Sequence, residues 1–331
     1  MTASPSGAAA AGRLTAADWP IAAAMLPFAG APGQDAPGSA WLEQLCEVKD
    51  AGFDHVDITD NWLRIGDLDE SRLQELLSVA ADAGVALASV SAIRRSVIDA
   101  ETGEANLAYS HRTLDAAAAL GVGTVSFGLH QALTPAQQRE LWFWTVEGHK
   151  DRPEDWPLAV ERLRELGRHA GELGIVMSLE MYEDTFLGTA DSAVRLAEDI
   201  GLDVVGLNPD IGNLVRLHRP IESPDEAMSK VAPYMNFWHM KNYLRDEDPE
   251  KGVYFAAPAP MESGVINYRA AVRIALDAGF QGILCAENYG GDGLSVCATN
   301  RDYLRRHVLP KRAGYRLGRS RVRQSGGAAL A

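Results

Sequence analysis

A short apolar run, a polar loop, an amphipathic helical stretch and a glycine form a unit that recurs along the chain. The apolar runs predict strands over 20–27, 54–60, 85–92, 123–129, 175–181, 203–209, 236–242 and 281–287. Between them, 41–51, 70–83, 109–120, 157–173, 190–200 and 267–278 carry helical periodicity, and several end in "DAG" or "ELG", where glycine takes the left-handed conformation that stops a helix. In "FWHMKNY", residues 237–243, alternation predicts Phe237, His239 and Lys241 on one side, with Trp238 and Met240 on the other.

Strands separated by crossover helices form parallel sheets. Eight such units predict an α/β fold, a single (β/α)8 TIM barrel over residues 18–310, between a flexible N-terminal segment, 1–17, and a basic C-terminal tail, 311–331. A doubly wound sheet would more often carry a glycine-rich nucleotide loop after its first strand, and neither GxGxxG nor GxxxxGK[ST] occurs. Two connections exceed what a barrel needs: 131–157 after the fourth strand and 243–264 after the seventh. Long loops on the catalytic face cover a site or meet a partner.

Composition narrows the setting. With 331 residues, 47% of them hydrophobic, the chain can bury a large core. No segment approaches the roughly 20 apolar residues that cross a bilayer, and the Ala-rich start lacks a secretory pattern, so no membrane association and a cytoplasmic location are expected. Cys46, Cys285 and Cys297 form no CxxC pair and read as reduced thiols. Six of the 31 basic residues lie in the tail, leaving 25 against 45 acidic ones, a net of −20 for residues 1–310. An acidic body repels phosphate backbones, so no nucleic-acid partner is expected. The tail reads as a solvated, partly disordered terminus.

In a TIM barrel the working residues sit at the C-terminal ends of the strands. Strands five to eight offer Glu180 in "SLEMYE", Asp210 in "LNPDIGN", His239 in "FWHMKNY" and Glu287 in "CAENYGG". Three carboxylates at one barrel mouth repel each other, and burying them without counter-charge is costly; a divalent cation resolves both. Oxygen donors with one imidazole suit an octahedral ion with positions open to substrate, Mn²⁺ first, with Mg²⁺ or Co²⁺ as alternatives.

The E…D…H…E order of these motifs resembles the metal site of the xylose-isomerase-like TIM barrels, the sugar isomerase and epimerase superfamily, over about residues 18–310. Two positions depart from that pattern. Asn213 stands where His is common, and "HMKN" replaces "HxKD", keeping Lys241 but not the acid. The resemblance implies that Glu180 and Glu287 relay protons as well as bind metal, and that Lys241 and Asn213 meet substrate or a carboxylate.

The segment after the fourth strand places His130 at a strand end, followed by Trp142, Phe143, Trp144 and Trp156 in a loop able to bind a flat aglycone or pack a subunit interface. With the four-ligand site, it resembles the α subunit of bacterial C-glycoside deglycosidases. That resemblance implies a carbon-carbon lyase acting with a small β subunit, as a hetero-oligomer, on 3-keto C-glycosides, with His130 as acid/base. The alternative is a ketose or keto-inositol epimerase or isomerase working by enediolate proton transfer without a partner. A phosphodiester hydrolase would need more histidines and a basic face. Near the second strand, His55, Asp57 and Thr59 share one side and Asp60 the other; Asp60, nearest the rim, is expected at the substrate. Arg94 and Arg95 after the third strand join the site or pair with surface acids.

Overall fold

The computed structural model describes residues 13–30 and 33–325. Eight parallel strands form the barrel: β1 (Ile21–Ala24), β2 (His55–Thr59), β3 (Ala86–Ala92), β4 (Thr124–Phe127), β5 (Val176–Glu180), β6 (Val205–Asn208), β7 (Phe237–Met240) and, after a hairpin of β8 (Asn242–Asp248) with β9 (Val253–Ala259), β10 (Ile283–Ala286). Each lies inside the segment that the apolar pattern predicts. The hydrogen-bonded order is β6-β5-β4-β3-β2-β1-β10-β7, so the ring closes between β6 and β7. That junction is thin. A parallel bridge joins Leu207 to Met235, the Asn236 N–H donates to the Leu207 carbonyl, and the Asn208 side chain accepts the His239 N–H at 2.7 Å.

The outer ring contains α1 (Gly38–Asp50), α2 (Glu70–Ala83), α3 (Gly103–Ala119), α4 (Trp156–Glu172), α5 (Ala190–Ile200), the single turn α6 (Gly212–Val215), α7 (Pro224–Val231), α8 (Tyr268–Asp277) and α9 (Gly293–Tyr303). The third helix starts six residues before the expected position 109, because Asp99 accepts from the Glu101 and Thr102 amides and organises the turn that leads into it. The main core lies between barrel and helices. A second, narrow core fills the barrel with Ala22, Ala24, Ala88, Phe237, Ile283 and Cys285. Strand alternation therefore holds: Phe237, His239 and Lys241 point inward, while Trp238 packs outward against Tyr268 and Phe280.

The two long connections differ in character. Residues 131–155 form an irregular loop with three short 3-10 turns, whereas most of 243–264 is the antiparallel hairpin, turned at Gly252. From Lys311 to Ser325 the basic side chains of the C-terminal tail are exposed, as expected of a solvated segment, while its backbone is anchored. Through Ser325 it lies across the floor of the barrel, where the Ser325 hydroxyl donates to the Asn236 carbonyl at 2.5 Å and accepts the Ile283 N–H at 2.9 Å, and Arg323 pairs with Asp203 at 3.1 Å. Of the N-terminal segment expected to be flexible, residues 1–12 lie outside the described residues. The Leu14 and Ala16 amides are held by Gln281 and Pro310. No helix among the described residues is long and apolar enough to cross a membrane.

Candidate metal centre

Four strands deliver the acidic and imidazole groups to one buried point. Glu180 is the last residue of β5, Asp210 follows β6 on the turn into α6, His239 lies in β7, and Glu287 follows β10; none is more than 4% exposed. Ligand atoms of Glu180, Asp210 and His239 lie within 4.8 Å of one another. His239 Nδ1 is 3.2 Å from Glu180 Oε2 and 3.5 Å from Glu287 Oε2. Lys241 Nζ lies between Asp210, at 2.5 Å, and Glu287, at 2.8 Å, and so supplies one of the counter-charges that the carboxylates need. Gly212 permits this: a Cβ there would sit 2.6 Å from Lys241 Cγ.

The chemistry of the donor set fits a divalent cation. Glu180 Oε2, Asp210 Oδ1 and His239 Nδ1 are all buried, and none has a hydrogen-bond partner. Three such orphans converging on one point are costly unless something binds them. Burial pushes the Asp210 carboxyl up to about 7, against Lys241, and Glu287 and Glu180 reinforce the rise. Burial also works against the Glu180 carboxylate, but His239 and His130 outweigh it and hold that group well below the usual range. For His239, burial acts downward; the surrounding groups, Glu180 and Asp57 among them, win and raise it.

Beneath His239 lies a carboxylate that the sequence pattern ranked below Asp60. Asp57 is fully buried, and its Oδ1 accepts from the Ser89 and Ser91 hydroxyls at 2.6 and 3.0 Å. The Ser91 oxygen is also 3.1 Å from His239 Nε2. Because Ser91 spends its proton on Asp57, its oxygen accepts from Nε2–H, which leaves Nδ1 turned to the carboxylates. Alternation had placed Asp57 on the side opposite Asp60. The repeat of Ser89 and Ser91 on the neighbouring strand was the signal that its side was the interior. The bulge between Val56 and Asp57 brings Asp57 opposite Ser89.

The remaining candidates surround this centre. Asn213 Nδ2 donates to Glu180 Oε1 at 3.1 Å and to the Met181 carbonyl at 3.0 Å, and its Oδ1 is buried without a partner. His130 Nε2 stands 3.7 Å from Glu180 Oε1, and its ring lies 3.5 Å from that of Tyr182. The ring fits because residue 128 is glycine, where a Cβ would sit 2.4 Å from Nδ1. Burial pushes His130 down to about 4 despite Glu180, so the imidazole is neutral at pH 7. Asp60 shares a cleft of about 40 Å³ with His239, Glu287, Arg94 and Tyr289, and pairs with Arg95 at 3.2 Å. His149 is exposed.

Sequence reasoning did not find the buried pair of Arg216 and Glu183, 3.0 Å apart. Trp144 from the long loop covers this guanidinium at 4.7 Å, and Phe143, Tyr182 and Tyr289 complete an aromatic enclosure. Trp142 stacks on Trp144. Trp156, grouped with them in the sequence, instead opens α4, packs against Phe186 and donates to Asp199.

The family described as "Xylose isomerase-like TIM barrel" matches residues 45–307. Among solved structures, a xylose isomerase-like TIM barrel protein from Mycobacterium smegmatis, crystallised in complex with magnesium, is 50% identical, covering 88% of this chain and 97% of its own, with a TM-score of 0.84. An L-ribulose 3-epimerase is 17% identical over 86% of this chain and 93% of its own, with a TM-score of 0.63. The 3-keto-D-glucoside 4-epimerase of E. coli is also 17% identical, over 87% and 99%, with a TM-score of 0.61. At that identity the last two share the fold. No curated protein matches the sequence.

Proposed function

Since this chain belongs to the xylose isomerase-like TIM barrel family, we propose that it is a metal-dependent enzyme of keto-sugars that moves a proton at the carbon beside a carbonyl. The carrying observation is the convergence of the unpartnered Glu180 Oε2, Asp210 Oδ1 and His239 Nδ1 on one point next to Glu287. A divalent cation bound by these four residues would polarise the sugar's carbonyl and acidify the adjacent C–H. Mn²⁺, Mg²⁺ and Co²⁺ all suit the donor set, and the related protein's crystals with magnesium support an ion of this class.

The chain's own groups supply the rest. Glu180 and Glu287 both reach His239 Nδ1, from β5 and from the end of β10, and on this reading take and return the proton of a bound sugar. Lys241 pairs with Asp210 and Glu287 and can donate to a substrate oxygen. His130, neutral and with its ring tilted against that of Tyr182, can accept a proton.

A narrower reading is favoured by one further observation. Beside His130 lies a second cavity of about 330 Å³, and Arg94 borders both it and the cleft at the metal centre. A free ketose needs no second compartment; a sugar joined to an aryl group does. On this reading the enzyme is the α subunit of a C-glycoside deglycosidase, a carbon-carbon lyase. His130 takes the C2 proton of a 3-keto C-glycoside, the C1–C2 double bond forms, the C1–aryl bond breaks, and the aryl carbon takes a proton. The small β subunit belongs to this reading too.

Two assays separate the readings. The metal-loaded protein, purified with any companion it brings, is incubated in D2O with a 3-keto C-glucoside and, separately, with free ketoses. Release of the aglycone supports the lyase; deuterium entering a ketose without cleavage supports the epimerase; neither reaction rejects both. His130→Ala should lose about 10²- to 10⁴-fold in turnover while binding metal normally.

A further inference from the structure

Arg94 and Arg95 leave β3 side by side and meet different fates. Arg95 pairs with Asp60 at 3.2 Å and lies over the Tyr109 ring. Among the described residues Arg94 has no carboxylate within ion-pair distance. Its polar contact is Nη2 donating to the Tyr182 hydroxyl at 3.4 Å, and its guanidinium lies 5.3 Å from the Phe143 ring and 5.5 Å from that of Tyr182. Nη1 is buried with no hydrogen-bond partner. In a chain of net charge −14, a half-buried cation that Asp60 and Glu183 reach only beyond ion-pair distance is an unusual arrangement.

Its surroundings are built for a ligand. Arg94 stands where the metal-side cleft meets the second cavity, whose lining includes Ser96, His130 and Gln131 as well as Arg95, Glu101 and Asp99, the last occupied by the Glu101 and Thr102 amides. Ser96 is 1% exposed, and its hydroxyl has no hydrogen-bond partner. A guanidinium and a hydroxyl, both with donors unspent, form a site for a negatively charged oxygen.

We propose that Arg94 and Ser96 bind an oxyanion carried by the non-sugar part of the substrate, a carboxylate or a phenolate oxygen, and so select acidic aglycones. The proposal deepens the keto-sugar reading, because it seats the sugar in the metal-side cleft and the anion in the neighbouring cavity. The anion supplies the direct partner that Arg94 lacks, through a charge-assisted hydrogen bond.

The test is calorimetric binding to the full chain of 4-hydroxybenzoate, which carries a carboxylate, 4-nitrophenol at pH 8, which carries a phenolate, and the neutral 4-hydroxybenzamide. At least one anion should bind tenfold or more tightly than the amide. Arg94→Gln should reduce that preference to less than threefold, and Arg94→Lys should retain part of it. Amide binding as tight as that of both anions, an undiminished preference in Arg94→Gln, or no binding by any of the three would overturn the proposal. Titration of both variants with Mn²⁺ is run alongside. Metal binding equal to wild type shows the barrel intact and assigns the loss to Arg94. Wild-type protein that binds the anions but no metal would reject the metal reading and leave this site standing.

Discussion

Asp57 and His239 face each other inside the barrel, with Oδ2 of the carboxylate 3.8 Å from Nε2 of the imidazole and the Ser91 hydroxyl between them. The carboxylate sets which nitrogen carries the proton and which way the ring turns, one layer below the candidate ligands. Outer partners of this kind are worth about 10- to 100-fold in metal affinity. Asp57→Asn should therefore bind Mn²⁺ about tenfold or more weakly by calorimetry while folding normally. Unchanged affinity would remove Asp57 from the centre.

Metal binding should also release protons. Without a cation, His239 is raised above its ordinary value and Asp210 is pushed up to about 7, so both tend to hold a proton as the pH falls below neutral. A cation must displace those protons, so affinity should rise as pH goes from about 5 to about 8. Titrations in buffers of different ionisation enthalpy count the protons released; a count of zero across that range contradicts the assignment.

Lys241 is the counter-charge within the acidic cluster. Lys241→Met leaves Asp210 and Glu287 without it, and breaking a buried pair on one side costs about 3–5 kcal/mol. The variant should melt well below wild type in chelator and recover much of the difference in Mg²⁺. Equal melting losses with and without the ion would mean that Lys241 and a cation do not share the same carboxylates.

The loop that carries Trp144 has its own pH dependence. Burial raises Asp151 to about 6, although its carboxylate accepts the Phe186 N–H and the Gln131 amide. For an acid whose folded pKa lies above the unfolded value, stability is fullest below about 4 and is lost as pH rises through about 6. Asp151→Asn keeps an acceptor for Phe186 and removes the charge. It should flatten the dependence between pH 4 and 6 and gain about 1–2 kcal/mol at pH 7, after allowance for partial exposure. Paired melts at pH 4 and 7 decide it.

The pattern of apolar runs was enough to place all eight barrel strands, because a parallel strand buried on both faces writes a continuous signature. The four strand-end residues and Lys241 were legible for the same reason: once the strands are placed, the mouth is placed. Asp57 was harder, since its importance depends on Ser89 and Ser91 reaching it from another strand. Arg216 and Glu183 were harder still. They come from two loops, and neither "YEDTF" nor "NLVRL" has a period that points one at the other. The tail's basic side chains are exposed as expected, but a basic composition does not reveal that Asp203 and the floor of the barrel anchor its backbone.

The ring has no beginning in space, yet the chain gives it one in time. Most neighbouring strands are close in sequence, but β1 pairs with β10, joining Ile21 to Leu284, and the Leu14 amide reaches across 267 positions to Gln281. Contacts of such separation form late in folding, since the intervening chain must first become compact. This line between β1 and β10 is therefore a seam. Hydrogen exchange at Leu284, whose N–H donates to Pro20, should report the parting of β1 from β10 separately from the thin β6–β7 junction, which Asn236 reports through its bond to Leu207.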